Sequence, residues 1–259
     1  VYMNHLKTMR MKARLPKFFS IKQATDLVRI GRDYDGGYLV SKSDIKNSDL
    51  LLGLGIFDDW SFEEDFVLHN DVEVVAYDAS INLRFWLKQA IIQTIKNPFN
   101  FYAFKKFFSY KQFFKGKHKH VKKFVGLNSK DNQHCTFMNV LNQHESKNIF
   151  LKIDVEGCEY RLLDDIVLNQ ERISGMVIEM HDVDIHQKRI KEFIHQLSLN
   201  LVHVHANNYA PIRADDDLPI VLELTFSKYS NDSTDYKLPH KLDMPNNKNC
   251  LDYEILIDD

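Results

Sequence analysis

The chain has 259 residues, enough for one large α/β domain or a domain carrying an insertion. Its 34 basic and 36 acidic residues nearly balance, so no global charge draws it to nucleic acid. Cys135, Cys158 and Cys250 lack CxxC spacing, which argues against a zinc finger or disulfide framework and fits a reducing compartment. No apolar run approaches the roughly 18–20 residues of a membrane span. The basic N-terminus has no signal-peptide apolar core, so the expected location is cytoplasmic.

Residues 1–28 read as a helical connecting segment broken at Pro16. Arg29–Val40 carries Asp-Gly-Gly between two apolar stretches, a hairpin signal. Leu50–Leu54 is a continuous apolar run, as in a strand buried on both faces. Gly53 and Gly55 permit a tight turn into Asp58-Asp59-Trp60-Ser61, which opens like a helix N-terminus. Further strands are predicted at Val72–Tyr77, Val121–Leu127, Ile149–Ile153, Gly175–Met180, Leu201–His205 and Ile220–Phe226. Helical patterns at 159–170 and 184–198 separate several of them. Alternating strands and helices imply a mainly parallel, doubly wound sheet over residues 29–226. Residues 227–259, rich in Asn, Asp and Pro, are expected to form a loosely ordered tail with a short strand at 253–257.

One segment departs from its surroundings. Between Ala79 and Lys130 there is no Asp or Glu, while Arg84 and eleven lysines alternate with Phe85, Trp86, Phe99, Phe101, Phe104, Phe107, Phe108, Phe113 and Phe114. A connection of that length must hold its own helices, so an insertion is placed at about 82–120. Basic residues interleaved with aromatics suit an anionic membrane surface, here residues 84–123, or a lipid-linked or polyanionic acceptor. An insertion whose aromatics pack on the sheet while its lysines are solvated is the alternative.

Polar residues stand at six predicted strand ends, which share one edge of a parallel sheet. The richest is Ile149–Leu163, where an apolar strand ends on Asp154, Glu156, Gly157 and Glu159. Carboxylates this crowded call for a cation or a hydrogen-bond network, although acids also favour a helix N-terminus. Asp78, 23 residues beyond Gly55, is placed to accept ribose hydroxyls. Asn128 could meet a base edge. Glu179, His181, Asp182, His203, His205, Asn207 and Asn208 end the next strands; carboxylates with imidazole can bind a divalent metal or act as a general base.

Five blocks together resemble the FkbM-type branch of class I S-adenosylmethionine-dependent methyltransferases: Arg-Ile-Gly-Arg-x-x-Asp-Gly-Gly-Tyr (29–38), Gly-Leu-Gly-Ile-Phe-Asp-Asp-Trp-Ser-Phe-Glu (53–63), Ala-Tyr-Asp (76–78), Leu-Lys-Ile-Asp-Val-Glu-Gly-Cys-Glu (151–159) and Ile-Glu-Met-His (178–181). The resemblance implies a Rossmann-like methyltransferase fold, a seven-stranded sheet with one antiparallel edge strand. It implies that Gly53 and Gly55 line the methionine part of S-adenosylmethionine, that Asp78 holds the ribose, and that Asn128 and Ser129 sit near adenine. No acid precedes Gly53 and only two glycines remain, so Asp58, Asp59 and Trp60 are expected to contact the cofactor directly. Asp154 is expected at the methyl-transfer centre, with His181 or His205 as base, or Mg²⁺ on Asp154 and Glu179 polarising the acceptor hydroxyl. The implied activity is O-methylation of a sugar hydroxyl in a surface polysaccharide or lipid-linked glycan; from the charge balance no nucleic-acid partner is expected, and the basic insertion at residues 84–123 allows peripheral placement at the inner membrane face. Two other readings are a metal-dependent glycosyltransferase using Asp154-x-Glu156 and a non-catalytic membrane- or polyanion-binding module.

Overall fold

The computed structural model of the protein describes residues 11–96, 102–128, 130–231 and 236–258. The first part of the chain forms β1 (Lys12–Leu15), the hairpin β2 (Leu27–Ile30) and β3 (Tyr38–Ser41), α1 (Lys42–Asn47), β4 (Leu50–Leu54), α2 (Ser61–His69) and β5 (Glu73–Tyr77). Then come α3 (Leu83–Lys96), α4 (Tyr102–Phe113), β6 (His118–Val121), β7 (Phe124–Val125), β8 (His134–Cys135) and α5 (Phe137–Leu141). The last part holds β9 (Ile149–Ile153), α6 (Leu163–Leu168), β10 (Ile173–Met180), α7 (Val183–Gln196), β11 (Asn200–Ala206), β12 (Leu222–Ser227) and β13 (Glu254–Ile257).

Seven strands make the central sheet in the order β11-β12-β10-β9-β4-β5-β6. The pairs from β10 through β6 are parallel, and β12 is antiparallel to both neighbours. The sheet is therefore the mostly parallel, doubly wound one that the sequence predicts. The antiparallel strand, however, lies one in from the edge rather than at it. β11 continues the parallel set, and the connection at 207–221 returns β12 into the gap beside β10.

Alternation along the buried strands feeds two cores. Leu50, Leu52, Leu54, Ile149, Leu151 and Ile153 face a core completed by α5, α6 and α7. Leu51 and Phe150 face the other way, onto Ile45, Phe62, Phe66 and the β2–β3 hairpin. Burial on both faces explains why these strands read as unbroken apolar runs.

Three local expectations change. The third strand of the sheet is His118–Val121, and Phe124–Val125 pairs separately with His134–Cys135. As an edge strand with mostly half-exposed residues, β6 lacks the apolar run that marks its neighbours. Residues 11–28 contain no α-helix; they form β1, a 3-10 turn at Lys17–Phe19 and the start of the hairpin. The C-terminal segment is docked rather than loose. β13 pairs in parallel with β1, and Leu238, Asn246, Asp252, Tyr253 and Ile255 are buried.

Candidate active site

The chain winds from β4 to β5 and β6 on one side of the sheet and from β9 to β10 on the other, so the topological switch point lies between β4 and β9. A crevice forms where such a sheet reverses, outside the strands' carboxyl ends. A cleft of about 560 Å³ opens there, lined by the segments 32–38, 55–59, 77–80, 124–127 and 152–161. A groove of about 860 Å³ between residues 21–34 and the C-terminal segment is larger, but none of the switch-point acids lines it.

Gly55 closes the switch point. It has φ +80, and a Cβ there would overlap the Asp154 carbonyl oxygen, so the turn after β4 lies directly against the turn after β9. The Asp154 amide donates to the Leu54 carbonyl at 2.8 Å, and the Lys152 ammonium donates to the Gly55 carbonyl at 2.6 Å. Gly53 serves a different purpose from the expected one. It is buried within β4, and a Cβ there would sit 2.7 Å from Glu63 Oε1, so its absence makes room for that carboxyl. Burial pushes Glu63 up to about 7, against the pull of Lys152.

Asp78 organises the cofactor-side loop. Its Oδ2 accepts from the Ile56 and Phe57 amides at 3.1 and 2.7 Å, and its Oδ1 accepts from the Ser80 amide at 2.7 Å. A carboxylate oxygen has two lone pairs, so Oδ1 can still accept one ribose hydroxyl. Asp59 also lines the cleft, held by Arg32 Nε at 3.0 Å and the Ser61 hydroxyl at 3.1 Å. Trp60 does not reach it. The indole is buried among Tyr110 and Phe114 and donates to Glu64 at 3.0 Å, anchoring the insertion instead. Leu127 lines the cleft, Asn128 is exposed just beyond it, and Ser129 lies outside the described residues.

At the ends of β9 and β10 the acids gather around one imidazole. His181 Nδ1 lies 2.9 Å from Glu159 Oε1, and its Nε2 lies 3.5 Å from Glu156 and 3.8 Å from Glu179. Burial alone would lower the His181 pKa, but Glu159, Glu179 and Asp154 outweigh it and raise it to about 9. The ligand atoms of Asp154, Glu156 and His181 lie within 4.8 Å of one another. Glu156 reaches this position from a left-handed backbone, φ 52, followed by Gly157 at φ 92.

Among the described residues the close-set trio takes in Asp154 but not Glu179, the other half of the expected metal pair. Glu179 is buried, accepts from Tyr38 at 3.2 Å and from Asn207 at 3.0 Å, and its carboxyl is pushed well above the usual range by burial and then by Asp154. His205 is removed from the site altogether. It is buried under the C-terminal segment, with Nδ1 3.0 Å from Glu223 and Nε2 3.1 Å from Asp252. Burial would lower its pKa, yet those two acids drive it well up, so both nitrogens are occupied by structural bonds. His203 is likewise paired, 3.1 Å from Asp243.

Three site residues lie inside sequence blocks without a role assigned from sequence. Tyr38 directs its hydroxyl at Glu179 and, at 3.4 Å, at Asp154. Lys152 is a buried ammonium in the middle of an apolar strand, held charged by Asp154, Glu63 and Glu179 despite burial. A lysine within Ile-Phe-Leu-Lys-Ile is itself a signal, because a buried charge needs partners. Glu159, assigned by position to the helix, is fully buried and takes the Val155 and Gly157 amides as well as His181.

Comparison with known proteins extends the picture. No curated protein matches the chain. Solved structures that resemble it include the METTL16 methyltransferase domain (13% identity, 71% of this chain and 76% of that one, TM-score 0.39). TrmK of M. capricolum, bound to S-adenosyl-homocysteine, is similar at 12% identity over 74% and 68% of the two chains, TM-score 0.38. Precorrin-6y C5,15-methyltransferase from Geobacter metallireducens matches at 14% identity over 72% and 85%, TM-score 0.36. The family model described as "Methyltransferase FkbM domain" matches residues 96–209, from the insertion through β9, β10 and β11. That match takes in the whole acid–imidazole cluster: over residues 96–209 the chain is similar to the FkbM methyltransferase domain, and it is an S-adenosylmethionine-dependent methyltransferase rather than a metal-dependent glycosyltransferase.

Proposed function

We propose that the acceptor is a sugar hydroxyl and the product its methyl ether. The observation that carries this reading is the Asp154–Glu156–His181 cluster beside the Gly55–Asp78 turn. A sugar hydroxyl is a weak nucleophile and must lose its proton as the bond to carbon forms, which calls for a base or a cation at that point. The charge of the cleft agrees. Asp35, Asp58, Asp59, Asp78, Asp154 and Glu156 line it against Arg32, Lys152 and Arg161, an acidic balance that repels a nucleic-acid backbone.

When bound, S-adenosylmethionine supplies a sulfonium methyl open to in-line displacement. The chain's residues fit it: the Gly55 turn admits close backbone approach, Asp78 keeps an acceptor for the ribose, and the cleft is in the size range of cofactor sites. Alignment of acceptor oxygen, methyl and sulfur supplies much of the rate. Against burial, Glu159, Glu179 and Asp154 together raise the His181 pKa to about 9, which favours its protonated form over a role as base. The Asp154 carboxylate, on the cleft wall beside Lys152 and Tyr38, is the proton acceptor. Two carboxylates and an imidazole also fit a divalent ion such as Mg²⁺, with Glu159 orienting the ring from behind. Asp154, Glu156 and neutral His181 would hold such an ion, which supplies Lewis acidity toward the hydroxyl.

Transfer of labelled methyl from S-adenosylmethionine to polysaccharide and lipid-linked saccharide fractions, with RNA as comparator, tests the reading. Methyl ether in the sugar after acid hydrolysis is expected. Label in RNA with none in any saccharide would overturn it.

A further inference from the structure

The helical hairpin between β5 and β6 has two unlike faces. Its inner face packs Phe85, Trp86, Tyr110 and Phe114 against Trp60, Ile56 and Ile81. This contact agrees with the packing alternative raised by the sequence, but it leaves a second set of apolar side chains outside. On α3, Leu83, Leu87, Ile91 and Ile95 recur at every fourth position and are 70, 56, 60 and 78 % exposed. On α4, Phe104 and Phe108 are 60 and 66 % exposed. Four-residue spacing sets each group along one side of its helix. Soluble proteins rarely leave so continuous an apolar surface uncovered.

Cations border this surface. Arg84 and Lys88 are exposed beside the α3 stripe, and Lys105 and Lys111 flank the two phenylalanines of α4. None of Arg84, Lys88, Lys105 or Lys115 pairs with an acid among the described residues. No acid occurs anywhere from 79 to 130 to oppose a negatively charged partner. No helix of the described residues is long and apolar enough to cross a membrane. The pattern is that of helices lying in an interface, with apolar groups at the acyl boundary and cations at the headgroups.

We propose that the outer face of α3 and α4 docks on an anionic lipid bilayer. The α3 stripe is wholly leucine and isoleucine, which bury favourably in acyl chains and offer no ring for a nucleic-acid base to stack on; exposed rings on the outer face come from Phe104 and Phe108 of α4. The hairpin also touches the cleft. Phe85 meets Phe57 edge-on at 5.8 Å, and Lys106 pairs with Asp58 at 3.0 Å; both Phe57 and Asp58 line the cleft wall. Docking therefore holds the cleft mouth near the headgroups, where a lipid-linked acceptor presents its sugar. That last consequence rests on the sugar-hydroxyl reading, whereas the docking does not.

The test is co-flotation of the purified chain with vesicles of phosphatidylcholine alone or mixed with phosphatidylglycerol, over a salt series. Retention on the anionic vesicles only, weakening as salt rises, is expected. Triple replacement Leu87→Ser, Ile91→Ser, Phe108→Ser should lower partitioning by about tenfold or more, with S-adenosylmethionine binding retained as the sign of an intact fold. No flotation, or equal flotation of parent and triple variant, overturns docking by this face. So does a shift of the parent, but not the variant, to a dimer in light scattering without vesicle binding, which would assign the face to a second copy. Gel retardation of RNA that survives the triple replacement, with no vesicle binding, would assign the basic residues to a polyanion. Flotation without methyl transfer to any saccharide leaves docking standing and removes the acceptor reading alone.

Discussion

Replacing Glu159 with glutamine isolates what holds His181 charged. Glu159 Oε1 takes three donors, the Val155 and Gly157 amides and His181 Nδ1, while its Oε2 has no partner among the described residues. An amide nitrogen in the Oε2 position therefore leaves those bonds in place and removes the charge, while burying two N–H donors with no acceptor there among the described residues. A hydrogen bond to a charged partner contributes about 1.5–3 kcal/mol, which at about 1.4 kcal/mol per pKa unit moves His181 down by about one to two units. The folded pKa of His181 is about 9 against 6.5 for the free side chain, so its ionisation stabilises the fold fully below 6.5 and ceases to as pH rises through 9. At pH 7 linkage makes this worth about 2.5 kcal/mol at most. The part of the stability difference linked to His181 should then be about 2 kcal/mol near neutrality and vanish by about pH 10, leaving only the pH-independent cost of the buried amide. Urea denaturation across that range in chelator, with the imidazole proton followed by NMR, measures both quantities. An unmoved His181 midpoint, or a gap constant with pH, would refute the account of this cluster.

Three further outcomes follow from other contacts. Asp78→Ala releases the Ile56 and Phe57 amides and the remaining acceptor, and should weaken S-adenosylmethionine binding in calorimetry by about 1.5–3 kcal/mol; unchanged affinity would remove Asp78 from the site. Adding Mg²⁺ or Mn²⁺ should lower the His181 pKa and raise the melting temperature in the parent but not in Asp154→Asn or Glu156→Gln; the same response in all three would exclude this trio as ligands. His205→Ala strands Glu223 and Asp252 in the interior and should cost about 3–5 kcal/mol of stability, with methyl transfer per folded molecule retained; a selective loss of turnover would return His205 to the chemistry.

What the sequence by itself determined was local: buried strands show as unbroken apolar runs, and the residues that end them show as acids and glycines. Leu50–Leu54 and Ile149–Ile153 match their predicted bounds, and the turn residues Gly55, Asp78 and Asp154 all line the cleft. The edge strand β6, exposed on much of its length, left no such run and was displaced onto 121–127. Tertiary structure decided the direction in which each polar side chain points. Gly53 and Gly55 are the same letter two residues apart, yet one makes space for Glu63 and the other lets two turns meet. His181 and His205 both end strands beside acids. One faces the cleft cluster, while the other is covered by a segment from the far end of the chain that supplies Asp252. Strand formation depends on near neighbours and the average burial of a run. The role of an ionisable group depends on the few partners within hydrogen-bond reach, and here Glu159, Glu179 and Asp154 come to His181 from two different strand ends.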